Sequence, residues 1–270
     1  MLKNIFVPTD FSENADHALQ YALNLAKSFQ LNIYVFNAHM TQTQGGMMLS
    51  IDDVIKHERE AELEELMVKI RPQLDDDVIS GHVAIVHNSV DAICSGALST
   101  KSDLIIMGTK GATGLKKLFM GSTASNVIRK TSLPVLTVPE NAPVTPPKRV
   151  TLAIDTEDIE YSFFLLPVMN LLLTIKPEFT ITHVQDEHEI DKTKGIFKFF
   201  NSHSIPYTYK QLKGDTVEDA ITNHIEENET DLLCLINHKR TFFQRLMHPS
   251  MTQKLVMGNK IPLLVLHDYQ

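Results

Sequence analysis

The 270-residue chain has few of the residues that stabilise small secreted domains, with two cysteines and no tryptophan. Cys94 and Cys234 each lie inside an apolar pattern, which predicts buried thiols rather than a disulfide framework. We therefore expect a reducing, cytoplasmic compartment, and the first residues contain no apolar signal-peptide core. No apolar run approaches the roughly 20 residues that cross a bilayer, so we expect no membrane segment.

Positive charge is also scarce. The chain has 25 Lys and Arg residues but 33 Asp and Glu residues, which gives a net charge of −8. This balance argues against nucleic acid or an anionic membrane as a main partner. Neither the G-x-S-x-G nor the H-E-x-x-H catalytic pattern occurs. Twelve histidines are present, but even the pair His183 and His188 lacks a metal-ligand spacing, so we expect no protein-built metal site.

One stretch, residues 103–139, carries the strongest functional pattern. An apolar strand pattern at 104–107 leads into a glycine-rich loop, and Gly121-Ser122-Thr123 then opens a helix pattern. A helix N-terminus carries unpaired N–H groups and partial positive charge, so it favours an anion such as phosphate. From the glycines alone, a tight strand-to-helix connection with glycine caps is an equally good interpretation.

The spacing Gly108-x2-Gly111-x9-Gly121-Ser122 resembles the nucleotide-binding signature of the universal stress protein family, in its ATP-binding branch. Neither the dinucleotide fingerprint G-x-G-x-x-G nor the Walker motif fits these glycines. The resemblance implies that ATP, or AMP or ADP, is the ligand, with Mg²⁺ carried on its phosphates. It also implies a site made of Pro8, Thr9, Asp10, Ala38, Met107, Gly108, Lys110, Gly111, Gly121, Ser122, Thr123 and Ala124.

Within that implied site, each group of residues has its own role. The adenosine would be held by Pro8, Thr9 and Asp10, and the backbone of Ala38 would contact the adenine. The bottom of the pocket would be formed by Met107 and Gly108. The phosphates would be surrounded by the remaining residues of the set, which are Lys110, Gly111, Gly121, Ser122, Thr123 and Ala124. Asp10 could instead be a turn former, and Lys116 and Lys117 are expected to form a solvated surface.

The first 140 residues alternate strand and helix patterns in the order β-α-β-α-β-α-β-α-β, which predicts a doubly wound α/β domain. Asp10, Ala38 and Gly108 all follow strand patterns, and ligands gather at the carboxyl ends of parallel strands. Residues 41–50 have no periodicity and are read as a disordered connector or, alternatively, a lid. The proline-rich segment 141–148 is the expected linker.

The chain then repeats with an offset of 128 residues. This offset aligns Asp91 with Asp219, Asp103 with Asp231 and Pro134 with Pro262. We therefore predict two tandem, doubly wound, parallel five-stranded sheets of the Rossmann-like, adenine nucleotide alpha hydrolase-like class, at residues 1–140 and 148–270. The equivalent last strands, 135–138 and 263–266, are predicted to pair the two domains within the chain, and a homodimer is a further expectation.

The second copy loses the motif glycines. The same offset places Ile236, Lys239 and Pro249 at the positions of Gly108, Gly111 and Gly121. We therefore expect one nucleotide site, in the first domain. The resemblance implies an ATP-binding protein that regulates the response to stress. A slow ATP hydrolase or phosphotransferase, or an interaction scaffold with a vestigial pocket, remain alternatives.

Overall fold

The structure is a computed structural model. It describes residues 2–40, 49–74, 79–86, 88–109, 120–154, 165–184, 194–214, 216–237 and 261–267. The expectations for residues 41–48 and for Lys110, Gly111, Lys239 and Pro249 lie outside these ranges.

The described part of the first half alternates five strands with four helices. The strands are β1 (Asn4–Thr9), β2 (Asn32–Met40), β3 (Ile79–Val86), β4 (Leu104–Gly108) and β5 (Val135–Val138). The helices are α1 (Glu13–Phe29), α2 (Leu49–Ile70), α3 (Ser89–Ser99) and α4 (Ser122–Lys130), and a 3₁₀ turn (Arg71–Gln73) follows α2.

The described part of the second half follows the same order, with α5 and α6 shorter than α1 and α2. Its strands are β6 (Arg149–Ile154), β7 (Glu178–Val184), β8 (Thr208–Leu212), β9 (Leu232–Asn237) and β10 (Leu263–His267). Its described helices are α5 (Leu166–Ile175), α6 (Lys194–Ser202) and α7 (Val217–Glu227). No described helix reaches both the length and the apolar character that a membrane crossing requires.

All ten strands form one sheet, in the order β3-β2-β1-β4-β5-β10-β9-β6-β7-β8. Each half is parallel within itself, which confirms the predicted α/β class with two five-stranded parallel sets. The two sets are joined edge to edge by an antiparallel ladder between β5 and β10, in which Leu264 lies opposite Leu136. Because this ladder is antiparallel, the carboxyl ends of the two sets face opposite edges of the sheet.

Helices cover both faces of the sheet and enclose two cores. One core lies under α1, α2, α5 and α6 and contains Leu19, Ile106 and Phe200. The other lies under α3, α4 and α7 and contains Ile128 and Ile225. The central strands β1, β4, β5 and β10 are buried from both sides, which explains why they read as continuous apolar runs, whereas the edge strand β8 is largely exposed. Cys94 and Cys234 are buried free thiols, as the sequence predicts.

The amino ends of the strands repeat the same hydrogen bonds in both halves. The Asp103 carboxylate accepts from the backbone N–H groups of Lys3 (2.8 Å) and Asn4 (2.9 Å). The Asp231 carboxylate accepts in the same way from Lys148 (3.0 Å) and Arg149 (2.9 Å). The sequence repeat is therefore also a repeat of backbone geometry at the amino ends of the strands.

Candidate functional site

A cavity of about 110 Å³ opens at the carboxyl ends of β1, β2 and β4. This is the edge at which parallel sheets bind ligands, because the loops that leave the strands converge there. The cavity is lined by Pro8, Thr9, Asp10, Ala15, Ala38, Ser89, Ile93, Met107, Gly108 and Thr123.

The turn between β1 and α1 (residues 9–12) forms one wall and is held by its own side chains. Thr9 Oγ1 accepts from the Phe11 N–H (3.0 Å). Asp10 Oδ1 accepts from both the backbone N–H (3.1 Å) and the hydroxyl (2.6 Å) of Ser12. Ser12 caps α1, because its Oγ accepts in turn from the Ala15 N–H. These bonds fix the direction of the Asp10 carboxylate beside the cavity.

The N-terminus of α4 forms the opposite wall and has no side-chain cap. Gly121 occupies the cap position, and its own N–H donates to the Thr109 carbonyl oxygen (2.6 Å). The next three residues, Ser122 to Ala124, lie in the first turn, where a helix provides no acceptor for the N–H groups. Helices α1 and α3, in contrast, are capped by the side chains of Ser12 and Asn88. The first turn of α4 therefore presents backbone donors and partial positive charge.

Gly108, at the end of β4, is required by packing. A Cβ atom at this position would lie 2.6 Å from Asn14 Oδ1 and 2.9 Å from the Asn14 carbonyl oxygen. Asn14 is buried in the first turn of α1, and its side-chain amide donates to the Val138 carbonyl oxygen (3.3 Å). The glycine thus lets the start of α1 close over the strand ends.

Seven of the residues predicted from sequence lie around this one cavity: Pro8, Thr9, Asp10, Ala38, Met107, Gly108 and Thr123. Gly121, Ser122 and Ala124 lie beside it at the start of α4. Sequence reasoning missed Ala15, Ser89 and Ile93. Ser89 was within reach of that reasoning, because it begins the helix that follows the carboxyl end of a strand.

The equivalent strand ends of the second half carry different side chains. Ile154 lies opposite His183 in the ladder, where the first half has Thr9 opposite Asn37. Ile236, at the position of Gly108, is buried in the core beneath α5 and α6. Bulkier side chains therefore replace the small and polar ones of the first half at this edge.

Ionisable groups near the cavity offer no metal site within the described residues, where no three His, Cys, Asp or Glu side chains cluster. Burial raises the pKa of the Cys94 thiol, and nearby Lys130 opposes that shift. Burial likewise raises the pKa of Asp16, whereas the charge of Lys69 lowers it. Cys94 and Asp16 lie outside the cavity lining, whose described side chains supply hydroxyl and carboxylate groups for hydrogen bonding.

Comparison with known proteins agrees with this arrangement. The sequence model of the universal stress protein family matches residues 1–139 of the 270. The chain belongs to the universal stress protein family. Two universal stress proteins of Methanocaldococcus jannaschii, MJ0531 and MJ0577, are 30% and 31% identical to it. Each alignment covers 51% of this chain, and it covers 82% of MJ0531 and 95% of MJ0577.

Solved structures extend the likeness of fold to the whole universal stress protein chain. A universal stress protein from Archaeoglobus fulgidus aligns with a TM-score of 0.71 and 20% identity, over 97% of this chain and 95% of that one. A second structure, a universal stress protein from Pseudomonas aeruginosa, aligns with a TM-score of 0.64 and 14% identity, over 98% and 93% of the two chains. The second half, beyond the family match, therefore shares the fold.

Proposed function

We propose that this universal stress protein binds one adenine nucleotide, ATP in the first instance, at the cavity of its first half and thereby regulates a response to stress. The observation that carries the proposal is the pairing of a fixed acidic turn with an uncapped helix N-terminus across one cavity. These two walls suit the two ends of a nucleotide. The adenosine end carries hydroxyl donors, and the phosphate end carries negative charge.

The acidic wall suits the adenosine. Asp10 lies at a strand end, where a carboxylate commonly accepts hydrogen bonds from ribose hydroxyls. Its direction is set by the two bonds from Ser12 at 3.1 and 2.6 Å. Ala38 and Met107 border the same cavity, and they provide backbone atoms and an apolar surface for the flat base.

The helix wall suits the phosphates. Three successive N–H groups, from Ser122 to Ala124, lie in the uncapped first turn of α4, and the side chains of Ser122 and Thr123 are exposed. Backbone donors and the helix dipole together favour an anion. The motif residues Lys110 and Gly111 would complete this end, and Mg²⁺ would arrive bound to the phosphates.

We also propose that residues 1–140 and 148–270 are two units that pair within the chain, and that only the first holds a nucleotide. The ladder between β5 and β10 supports the pairing. The second half has Ile236 at the position of Gly108 and Pro249 at the position of Gly121. These replacements support the inequality, because proline lacks the N–H with which Gly121 bonds the Thr109 carbonyl oxygen. The antiparallel ladder would leave the two crevices at opposite edges of the sheet.

Calorimetric titration with a nonhydrolysable ATP analogue tests the proposal, and we expect one equivalent per chain. Gly121→Val should lower the affinity at least about 100-fold, near 3 kcal/mol, because its side chain occupies space that the phosphate oxygens need. Ser250→Ala, which alters the repeat position of Ser122, is the matched control and should leave the affinity unchanged. Two equivalents per chain, or normal binding by the Gly121→Val protein, would refute the proposal.

A further inference from the structure

We infer that Asn37 is a positioning residue that holds the turn between β1 and α1 in its binding geometry. The inference rests on the proposed function, because that turn carries the residues assigned to the adenosine. Asn37 lies near the carboxyl end of β2, and only 4% of it is exposed. It does not line the cavity itself, so its action is on the wall behind the ligand.

The contact is one buried hydrogen bond to the last residue of β1. Asn37 Nδ2 donates to the Thr9 carbonyl oxygen (2.8 Å), and Thr9 is itself buried and lines the cavity. Loss of a buried hydrogen bond costs more free energy than loss of an exposed one, because water does not replace the bond. The bond therefore fixes the point at which the chain leaves the sheet and begins the turn.

The turn needs such a support because its backbone is strained. Phe11 has φ of 59°, a left-handed conformation that is unfavourable for a bulky side chain. The Phe11 N–H donates to Thr9 Oγ1. Thr9 therefore accepts one hydrogen bond through its side chain and another through the carbonyl oxygen that Asn37 contacts. A shift of Thr9 would break its hydrogen bond to the Phe11 N–H, and the Asp10 carboxylate between them would lose its fixed direction.

The remaining polar atom of Asn37 points to the same conclusion. Its Oδ1 is buried and accepts no hydrogen bond from any residue that the structure describes. An apolar residue of similar size would avoid the cost of that buried acceptor. The amide is thus retained for its donor, Nδ2. The second half, in which we propose no nucleotide site, has the pair Ile154 and His183 at these ladder positions, so the Asn37 amide is replaced there by an imidazole.

Amide hydrogen exchange in the nucleotide-free protein tests the positioning directly. Asn37→Leu should speed exchange at the N–H groups of Phe11 and Ser12 about tenfold, because the turn loses its side-chain hydrogen bond to β2. The matched control is Asn24→Leu, which removes a side-chain bond of equal length, 2.8 Å, to the Val144 carbonyl oxygen. The control should leave exchange in the turn unchanged. Unchanged exchange in Asn37→Leu would overturn the inference, whether or not the protein binds a nucleotide.

Titration with the ATP analogue then tests the consequence for binding. Asn37→Leu should weaken the affinity about tenfold, and Asn24→Leu should not. Faster exchange with unchanged affinity would overturn the role in binding. If the wild-type chain binds no analogue, the proposed function fails, and the exchange measurement alone decides whether Asn37 positions the turn.

A third variant separates the donor from simple packing. Asn37→Asp keeps the shape, but its carboxylate has no proton to donate to Thr9, and burial raises the pKa of such a carboxyl group. Its affinity, relative to wild type at the same pH, should be lowest at pH 8 and recover as protonation restores a donor near pH 5. A penalty that does not change with pH would overturn the assignment of Nδ2 as the essential atom.

Discussion

The two halves of this universal stress protein share a backbone frame and differ at one edge of it. At the amino ends of the strands, Asp103 and Asp231 accept equivalent pairs of backbone hydrogen bonds. At the carboxyl ends, Gly108 and Asn37 of the first half are replaced at the equivalent positions of the second half by Ile236 and His183. The frame is what folding requires of both copies, whereas the carboxyl edge is where a ligand would impose its own demands.

The difference also separates two reasons for a glycine. Gly108 belongs to the nucleotide signature, and it is also the residue that allows Asn14 to approach the sheet. Loss of binding in a Gly108 variant would therefore not by itself locate the phosphates. Gly121 is the better probe, because it occupies the cap of α4 rather than a contact with another helix.

The largest effect that separates the halves should come from Ile236→Ala. Ile236 is 3% exposed, and truncation of a buried isoleucine costs about 3 kcal/mol through lost burial and the cavity that remains. Urea denaturation should show this loss of unfolding free energy, while the affinity for the ATP analogue stays unchanged. A large change in affinity would show that the second half contributes to the site.

Matched glycine variants sharpen the comparison. Gly108→Ala should cost about 1–3 kcal/mol, because its Cβ lies within 3 Å of Asn14. Gly214→Ala in the second half should cost a similar amount, because its Cβ lies 2.8 Å from the Ala220 Cβ. Both variants should lower the denaturation midpoint, but only Gly108→Ala should weaken nucleotide binding. Equal binding by the two variants would contradict the placement of the site.

Low pH should reduce the free energy of unfolding through buried histidines of the second half. Burial lowers the pKa of His267 to about 4 from an ordinary 6.5 and also lowers the pKa of His224. The unfolded chain therefore binds more protons, so the stability is complete above pH 6.5 and falls as the pH drops towards 4.

Between pH 6.5 and 5 the contribution of His267 amounts to roughly 2 kcal/mol. Asp16 of the first half acts in the opposite sense, because burial raises its pKa and its protonation favours the folded state. Denaturation at several pH values should show a shallower loss in His267→Gln than in wild type. Identical slopes for the two proteins would contradict this assignment.

The smallest effect should be equal in the two halves. Asp103→Ala and Asp231→Ala each remove an acceptor of two backbone N–H groups, at 2.8–2.9 Å and 2.9–3.0 Å. We expect each to cost about 1–2 kcal/mol in urea denaturation, because the donors stay near solvent. The two values should agree within about 0.5 kcal/mol. A clear difference between the two losses of unfolding free energy would contradict the equivalence of the two halves at the amino ends of their strands.

The sequence by itself determined the family, the α/β order, the repeat and most of the residues around the cavity. These depend on local patterns, since apolar runs, caps and glycine spacing act over a few residues along the chain. Of the predicted residues that the structure describes, Pro8, Thr9, Asp10, Ala38 and Met107 meet at the expected strand ends.

Only the tertiary structure decided which distant residues support that site. It set the antiparallel register of the ladder between β5 and β10, and it placed Asn14 against Gly108 and Asn37 against Thr9. It also added Ser89 and Ile93 to the cavity wall. These contacts join residues that are far apart in sequence, and their partners depend on which strands become neighbours. The spacing along one chain carries no record of that choice, because packing between elements sets it.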